Sequence, residues 1–176
     1  TGKGTLRSKL APLTVAPGSA KSVRTVDVAR IDYSGNPDPE PGAWPRLAKL
    51  ARADFHTTLN LSTVKCAERD AKRFTIAHLT GTTRFILGDA EVAALKKYLD
   101  DGGLLFADSA GGSTDFTESF LALEKSLFPG VSPAPLPPDH PIITGSMPDG
   151  APAVEIQFRK FGSLKLGQII RAPKLD

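Results

Sequence analysis

The chain has 176 residues, 40% of them hydrophobic and 23% charged, and its formal net charge is +3. This composition is ordinary for a globular protein with a sizeable core, and it excludes a chain that is disordered throughout. The Lys and Arg residues are scattered, and aromatic residues make up only 7% of the chain. Because nucleic-acid-binding domains gather their cations on one face and often interleave aromatic rings, we predict no nucleic-acid partner.

The cysteine content and the hydrophobic runs exclude two further classes. Cys66 is the single cysteine, so the chain has neither an internal disulfide nor a multi-cysteine metal site. No apolar run approaches the roughly 20 residues that cross a bilayer. The chain begins at Thr1 rather than at a methionine, which predicts that it is a processed product or an excised piece of a longer protein.

The first third of the chain predicts an arm, two strands and a helix. Residues 1–22 are rich in Gly, Pro and Ser without a sustained period, so we predict a flexible N-terminal arm or linker before a single domain over 23–176. Alternation over 23–33 predicts a strand, with room for a bulge. Apolar residues at helical spacing from Trp44 to Ala51 predict a helix, and the stretch LNLSTV, 59–64, predicts a second strand.

The most informative stretch is FTIAHLTGTTRFILGDAEVAALKKYLDDGGLLFADSAGG, which follows next. It predicts a strand over 74–80, then a helix with its N-cap at Gly88 that Gly102 and Gly103 terminate. The continuous apolar run 104–107 predicts a strand covered on both faces and therefore central in its sheet. Strand, helix and strand in this order form the repeating unit of a parallel α/β sheet. The predicted fold is therefore α/β, a three-layer α/β/α sandwich with a mainly parallel sheet.

A third helix and a proline-rich loop follow. Apolar residues at helical spacing predict a helix from 116 to 127, with Thr114 or Asp115 as its cap. Beyond the loop, alternation predicts a strand over 154–158, and a weaker pattern predicts another over 168–171.

Several of these motifs, in this order, resemble the family of the bacterial domain of unknown function 4159. They are HLTGTTRFILGDAEVAALKKYLDDGGLLFADSAGG, the helix ending in LFPG, the segment LPPDHPI and, earlier, VARIDYSG. The resemblance covers about residues 24 to 176. It implies a flavodoxin-like domain similar to class I glutamine amidotransferases, in proteins that are often exported or membrane-anchored. It implies no activity, because the family has no established one.

The sharpest functional hypothesis concerns Ser109. In the similar glutamine amidotransferases a tight strand-to-helix turn carries the nucleophile, and ADSAGG places Ser109 at that position, between Asp108 and Gly111. A serine hydroxyl needs a base to become a nucleophile, and His140, preceded by Asp139, is the candidate. The hypothesis predicts a hydrolase or amidotransferase-like enzyme with Ser109 as nucleophile, His140 as base and Asp108 beside them.

The same segments have a non-catalytic interpretation, which we favour. Any strand-to-helix turn uses serine and glycine for geometry and capping, and the amidotransferase cysteine and its downstream His-x-Glu are absent. The carboxyl ends of parallel strands are also where ligands bind. A ligand-binding lining is predicted from Thr80, Gly81, Thr82, Gly111, Gly112 and Asp139. We predict no metal site and no cofactor there.

The remaining histidines are predicted to be structural. His78 falls in the middle of a predicted strand, where a partly buried, hydrogen-bonded histidine is the common case. His56 is predicted to lie on a surface loop. The function that these patterns favour is a non-catalytic module of a larger bacterial envelope-associated protein, which binds a small polar ligand or a protein partner. The serine enzyme is the alternative.

Overall fold

The computed structural model describes residues 22–67 and 73–146. The chain divides into two compact units, Thr1–Val131 and Ser132–Asp176. That residues 23–176 form one domain therefore stays a prediction.

Three predicted segments lie wholly or almost wholly outside the described residues. They are the arm over 1–22, of which only Ser22 is described, and the strands over 154–158 and 168–171.

The described part of the first unit alternates strands with helices. The strands are β1 (Arg24–Asp32), β2 (Thr57–Lys65), β3 (Ile76–Gly81) and β4 (Leu104–Ser109). The helices are α1 (Ala43–Phe55), α2 (Asp89–Asp100) and α3 (Thr114–Leu127), with a 3-10 turn, Ala110–Gly112, between β4 and α3. Each strand and helix predicted within these residues is confirmed, with shifts at the ends. In the second unit a short helix that was not predicted, α4, spans Pro141–Thr144.

The four strands form one parallel sheet in the order β2-β1-β3-β4. β1 pairs with β2 residue for residue from Arg24 to Asp32, so the bulge considered for β1 is absent from this pairing. The chain leaves β1 toward one edge of the sheet and leaves β3 toward the other. The β1–β3 pair is therefore the topological switch point, where the ends of two neighbouring strands border a crevice.

β4 is an edge strand of the sheet that the described residues form. The prediction that it lies centrally, covered on both faces, is wrong for that sheet. Its described pairing is with β3, and Leu104 and Phe106 are 58% and 52% exposed. Leu105, on the other face, packs against the core. The prediction failed because an apolar run shows that the residues are apolar but does not indicate which face of the strand the helices cover.

Local signals set both ends of α2. Gly88 is the N-cap, and its N–H donates to Oε2 of Glu91 at 2.9 Å, which is one half of a capping box. At the other end Gly102 has φ +92°, the left-handed conformation that ends many helices. The next residue, Gly103, has to be a glycine because the ring of Tyr98 occupies the space that a Cβ would need.

The hydrophobic core lies between the sheet and helices α2 and α3. Its fully or almost fully buried members are Ala29, Ile31, Cys66, Phe74, Ala77, Leu79, Leu95, Tyr98, Phe116 and Leu127. Side chains alternate along a strand, so His78 lies on the opposite face of β3 from Ala77 and Leu79. There it meets Trp44 of α1.

Candidate functional site

The carboxyl ends of β3 and β4 bring together most of the predicted site residues. Thr80 and Gly81 close β3, while Asp108 and Ser109 close β4. The register pairs Thr80 with Asp108 and Gly81 with Ser109. The predicted proximity of the two strand ends is thus a property of the fold.

The hydroxyl of Ser109 is committed to its own turn. Its Oγ donates to the carbonyl of Ser113 at 2.8 Å, and the Oγ1 of Thr117 donates to it at 3.2 Å. The backbone of Ser109 is ordinary extended chain, with φ −81° and ψ 93°, so it lacks the strain of a nucleophile elbow. Within the first unit the geometry of Ser109 is that of a residue that closes a turn.

Gly111 and Gly112 have left-handed backbones, with φ of +63° and +70°. Apart from the chain neighbours, no atom of the described residues lies within 4 Å of where a Cβ would stand at either position. The backbone conformation, rather than crowding by neighbours, therefore requires glycine here. This role needs no ligand.

Thr80 and Gly81 are buried by packing and are not exposed to solvent. Thr80 is 7% exposed, its carbonyl accepts from the Tyr33 hydroxyl at 2.9 Å, and its Oγ1 lies 3.5 Å from Oδ2 of Asp108. A Cβ on Gly81 would overlap the Tyr33 oxygen. Burial also raises the pKa of the Tyr33 phenol, so this group stays protonated and keeps donating.

Thr82 joins the exits of three strands. Its Oγ1 accepts from the Asn36 amide at 2.8 Å, and its carbonyl accepts from Oγ of Ser113 at 2.8 Å. Ser113 also caps α3 by accepting from the backbone N–H of Phe116 at 3.3 Å. The capping prediction named the next two residues and was wrong. Ser113 has the advantage because its hydroxyl donates to Thr82 while it accepts from the helix.

A polar groove lies next to these bonds, and sequence reasoning missed it. It encloses about 330 Å³ and is lined by Asp32, Tyr33, Ser34, Lys65 and Glu91. Asp32 and Lys65 are paired in the β1–β2 register, so two strand ends supply opposite charges. Lys65 forms no ion pair with any described residue. The position of these charges at strand ends was the available signal, but their partners come from distant segments.

Asp139 and His140 lie in the second unit. The Nδ1 of His140 accepts from the backbone N–H of Ile142 at 3.2 Å, so this histidine caps α4. Asp139, at the preceding turn, is exposed. The pairing of Ser109 with His140 stays a prediction.

Two searches of the described residues concern other kinds of site. No group of three or more His, Cys, Asp or Glu side chains in 22–67 and 73–146 is placed to hold a metal ion. No helix in the same ranges is long and apolar enough to cross a membrane.

Residues 27–169 match the family described as Domain of unknown function (DUF4159). The chain belongs to this family. The match confirms the family resemblance, and it spans both strand ends as well as the loop with Asp139 and His140. The description of DUF4159 carries no activity. No curated protein matches the chain.

Proposed function

We propose that this DUF4159 domain is a non-catalytic module that binds a small polar ligand at the carboxyl edge of its sheet. We further propose that it is part of a larger bacterial envelope-associated protein. The observation that carries the non-catalytic role is the hydrogen bond from the Ser109 hydroxyl to the Ser113 carbonyl. The resemblance to exported and membrane-anchored proteins supports the location.

The bond matters because a serine nucleophile must hand its proton to a base. A backbone carbonyl accepts a hydrogen bond but does not take the proton. The neighbouring hydroxyl of Thr117 donates to Ser109 and also lies 2.8 Å from the Ser113 carbonyl. Every described partner of Ser109 thus stabilises the turn and none activates the oxygen.

The polar groove supports the ligand-binding part of the proposal. Its walls carry carboxylates, from Asp32 and Glu91, and one ammonium, from Lys65. The Glu91 carboxylate already accepts from Gly88, which fixes its position. Its volume of about 330 Å³ fits a small molecule. Because the groove is lined by both positive and negative charges, it favours a ligand that carries an ammonium and a carboxylate, such as a free amino acid.

We also propose that the domain is a three-layer, flavodoxin-like α/β/α sandwich. The order β2-β1-β3-β4 is the first part of the flavodoxin-like order. Trp44 of α1 meets the face of β3 opposite to the one that α2 and α3 cover, which supports a three-layer arrangement. The relation to class I glutamine amidotransferases rests on the sequence resemblance.

An NMR titration tests the ligand proposal. Amino acids and dicarboxylates are added to the full chain, and amide shifts are followed at the ends of β1 and β2. We expect saturable shifts, and we expect Lys65→Ala to weaken binding about tenfold, the loss of one charge-assisted hydrogen bond.

The matched control is Lys97→Ala, which removes a cation from the exposed side of α2, where Lys97 pairs with Asp101. Its affinity should equal that of the wild type. The proposal is wrong if no compound of the panel shifts these amides, or if Lys65→Ala binds as well as the control.

A further inference from the structure

One side-chain contact ties helix α1 to the sheet on the face away from the core. Trp44, in the first turn of α1, donates its indole Nε1–H to Nδ1 of His78 at 2.8 Å. The two rings meet edge to face, with centroids 5.2 Å apart. His78 is 8% exposed and stacks on Phe106 of β4, with centroids at 5.4 Å and an interplanar angle of 22°.

The chemistry of the contact fixes the state of the imidazole. An indole nitrogen is only a donor, so Nδ1 of His78 must be the acceptor. A neutral imidazole meets this requirement when its proton sits on Nε2. A protonated imidazole carries hydrogens on both nitrogens, so two N–H groups would then face each other and the bond would be lost.

We propose that the Trp44–His78 bond is a pH-sensitive lock, which holds the first turn of α1 on the sheet while His78 is neutral and releases Trp44 on acidification. The loop that precedes α1 carries Asn36, whose amide bonds Thr82 at the switch point. The end of α1 that Trp44 holds on the sheet directly follows this loop. The lock does not depend on any ligand of the polar groove.

The surroundings of His78 place the release on the acidic side of neutrality. Burial lowers the pKa of His78 below its ordinary value, because the charged ring is poorly solvated. The charged groups that act on it are Asp108 of β4, which opposes the lowering, Arg30 of β1, which adds to it, and Asp38, which opposes it. Arg30 and Asp38 form an ion pair at 2.5 Å, and they act on the pKa of His78 in opposite directions.

The same shift makes a stability prediction with a defined sign. The folded state binds the proton less well than the unfolded chain, in which His78 titrates near its ordinary value of about 6.5. The contribution of neutral His78 to the free energy of unfolding is therefore complete above about pH 6.5. It decreases as the pH falls from there toward the pKa of His78 in the folded state. The His78→Gln variant should not show this decrease in the free energy of unfolding, because glutamine does not titrate.

Intrinsic fluorescence tests the lock at its site, since Trp44 is the single tryptophan. The full chain is scanned from about pH 8 to about pH 5, the range over which histidines change charge. We expect the emission of the wild type to shift to the red as the indole enters water. The His56→Gln control alters an exposed histidine at the end of α1 and should keep the full shift. His78→Gln should lose it.

A wild-type measurement covers the case in which His78→Gln does not fold. The imidazole nitrogen shifts of His78 report its tautomer, and we expect an unprotonated Nδ1 near neutral pH. A proton on Nδ1 would overturn the proposal. So would a wild-type emission that stays constant over the scan, or an equal red shift in folded His78→Gln.

Discussion

Phe116→Ala is expected to lower the free energy of unfolding by about 3–5 kcal/mol, the usual cost of emptying a buried aromatic site. Phe116 is 1% exposed, and its ring lies 5.1 Å from that of Phe85 between centroids. It also borders Gly81 at the end of β3. The loss is large because the ring packs helix α3, the sheet and the loop before α2 together. Urea unfolding, monitored by circular dichroism, measures this loss of stability.

Leu121→Ala is the matched control on the same helix. Leu121 is 44% exposed, so its truncation leaves no closed cavity and should cost well under half as much. Equal losses from the two substitutions would mean that Phe116 does not fill the core as described.

Gly81→Ala is the second substitution with a large expected effect, about 1–3 kcal/mol of lost stability from overpacking. The added Cβ would overlap the Tyr33 oxygen and lie 2.9 Å from Cδ2 of Phe116 and 3.1 Å from the Asn36 carbonyl. The atoms it meets are a hydrogen-bonded phenol, a core ring and backbone, so they have little room to move. Thermal or urea unfolding measures the loss.

A double-mutant cycle shows whether Tyr33 causes this loss. Tyr33→Phe alone removes the bond to the Thr80 carbonyl and should cost about 1 kcal/mol. In that background Gly81→Ala should cost less than it does in the wild type, because the overlapping oxygen is gone. Gly42→Ala is the control, since among the described residues no atom other than those of its chain neighbours lies within 4 Å of its Cβ position. Strictly additive losses for Gly81 and Tyr33 would contradict the proposed overlap.

Elements with local signals could be predicted from the sequence, and their long-range relations could not. The cap at Gly88 and the left-handed Gly102 follow from residues within α2 and its ends, and both appear as expected. The position of β4 depends on which face the helices cover, which an apolar run does not encode. α4 escaped prediction because four residues are too few to show a period.

The candidate site divides in the same way. That the ends of β3 and β4 meet follows from the strand pattern. The contact between Trp44 and His78 and the groove around Lys65 depend on segments far apart in the chain. The register that brings Asp32 beside Lys65 has no signature in either strand alone. Hydroxyls at a strand end look alike in sequence whether they react or close a turn, and only their partners distinguish the two.

We propose that the Ser109 hydroxyl holds a turn and does not react. Labelling of the full chain with a fluorophosphonate probe tests this proposal, with Ser109→Ala beside the wild type and Ser126→Ala, at an exposed serine of α3, as the control. We expect the same background signal from all three proteins. Strong labelling of the wild type and of Ser126→Ala that disappears in Ser109→Ala would show an activated serine and contradict the non-catalytic role.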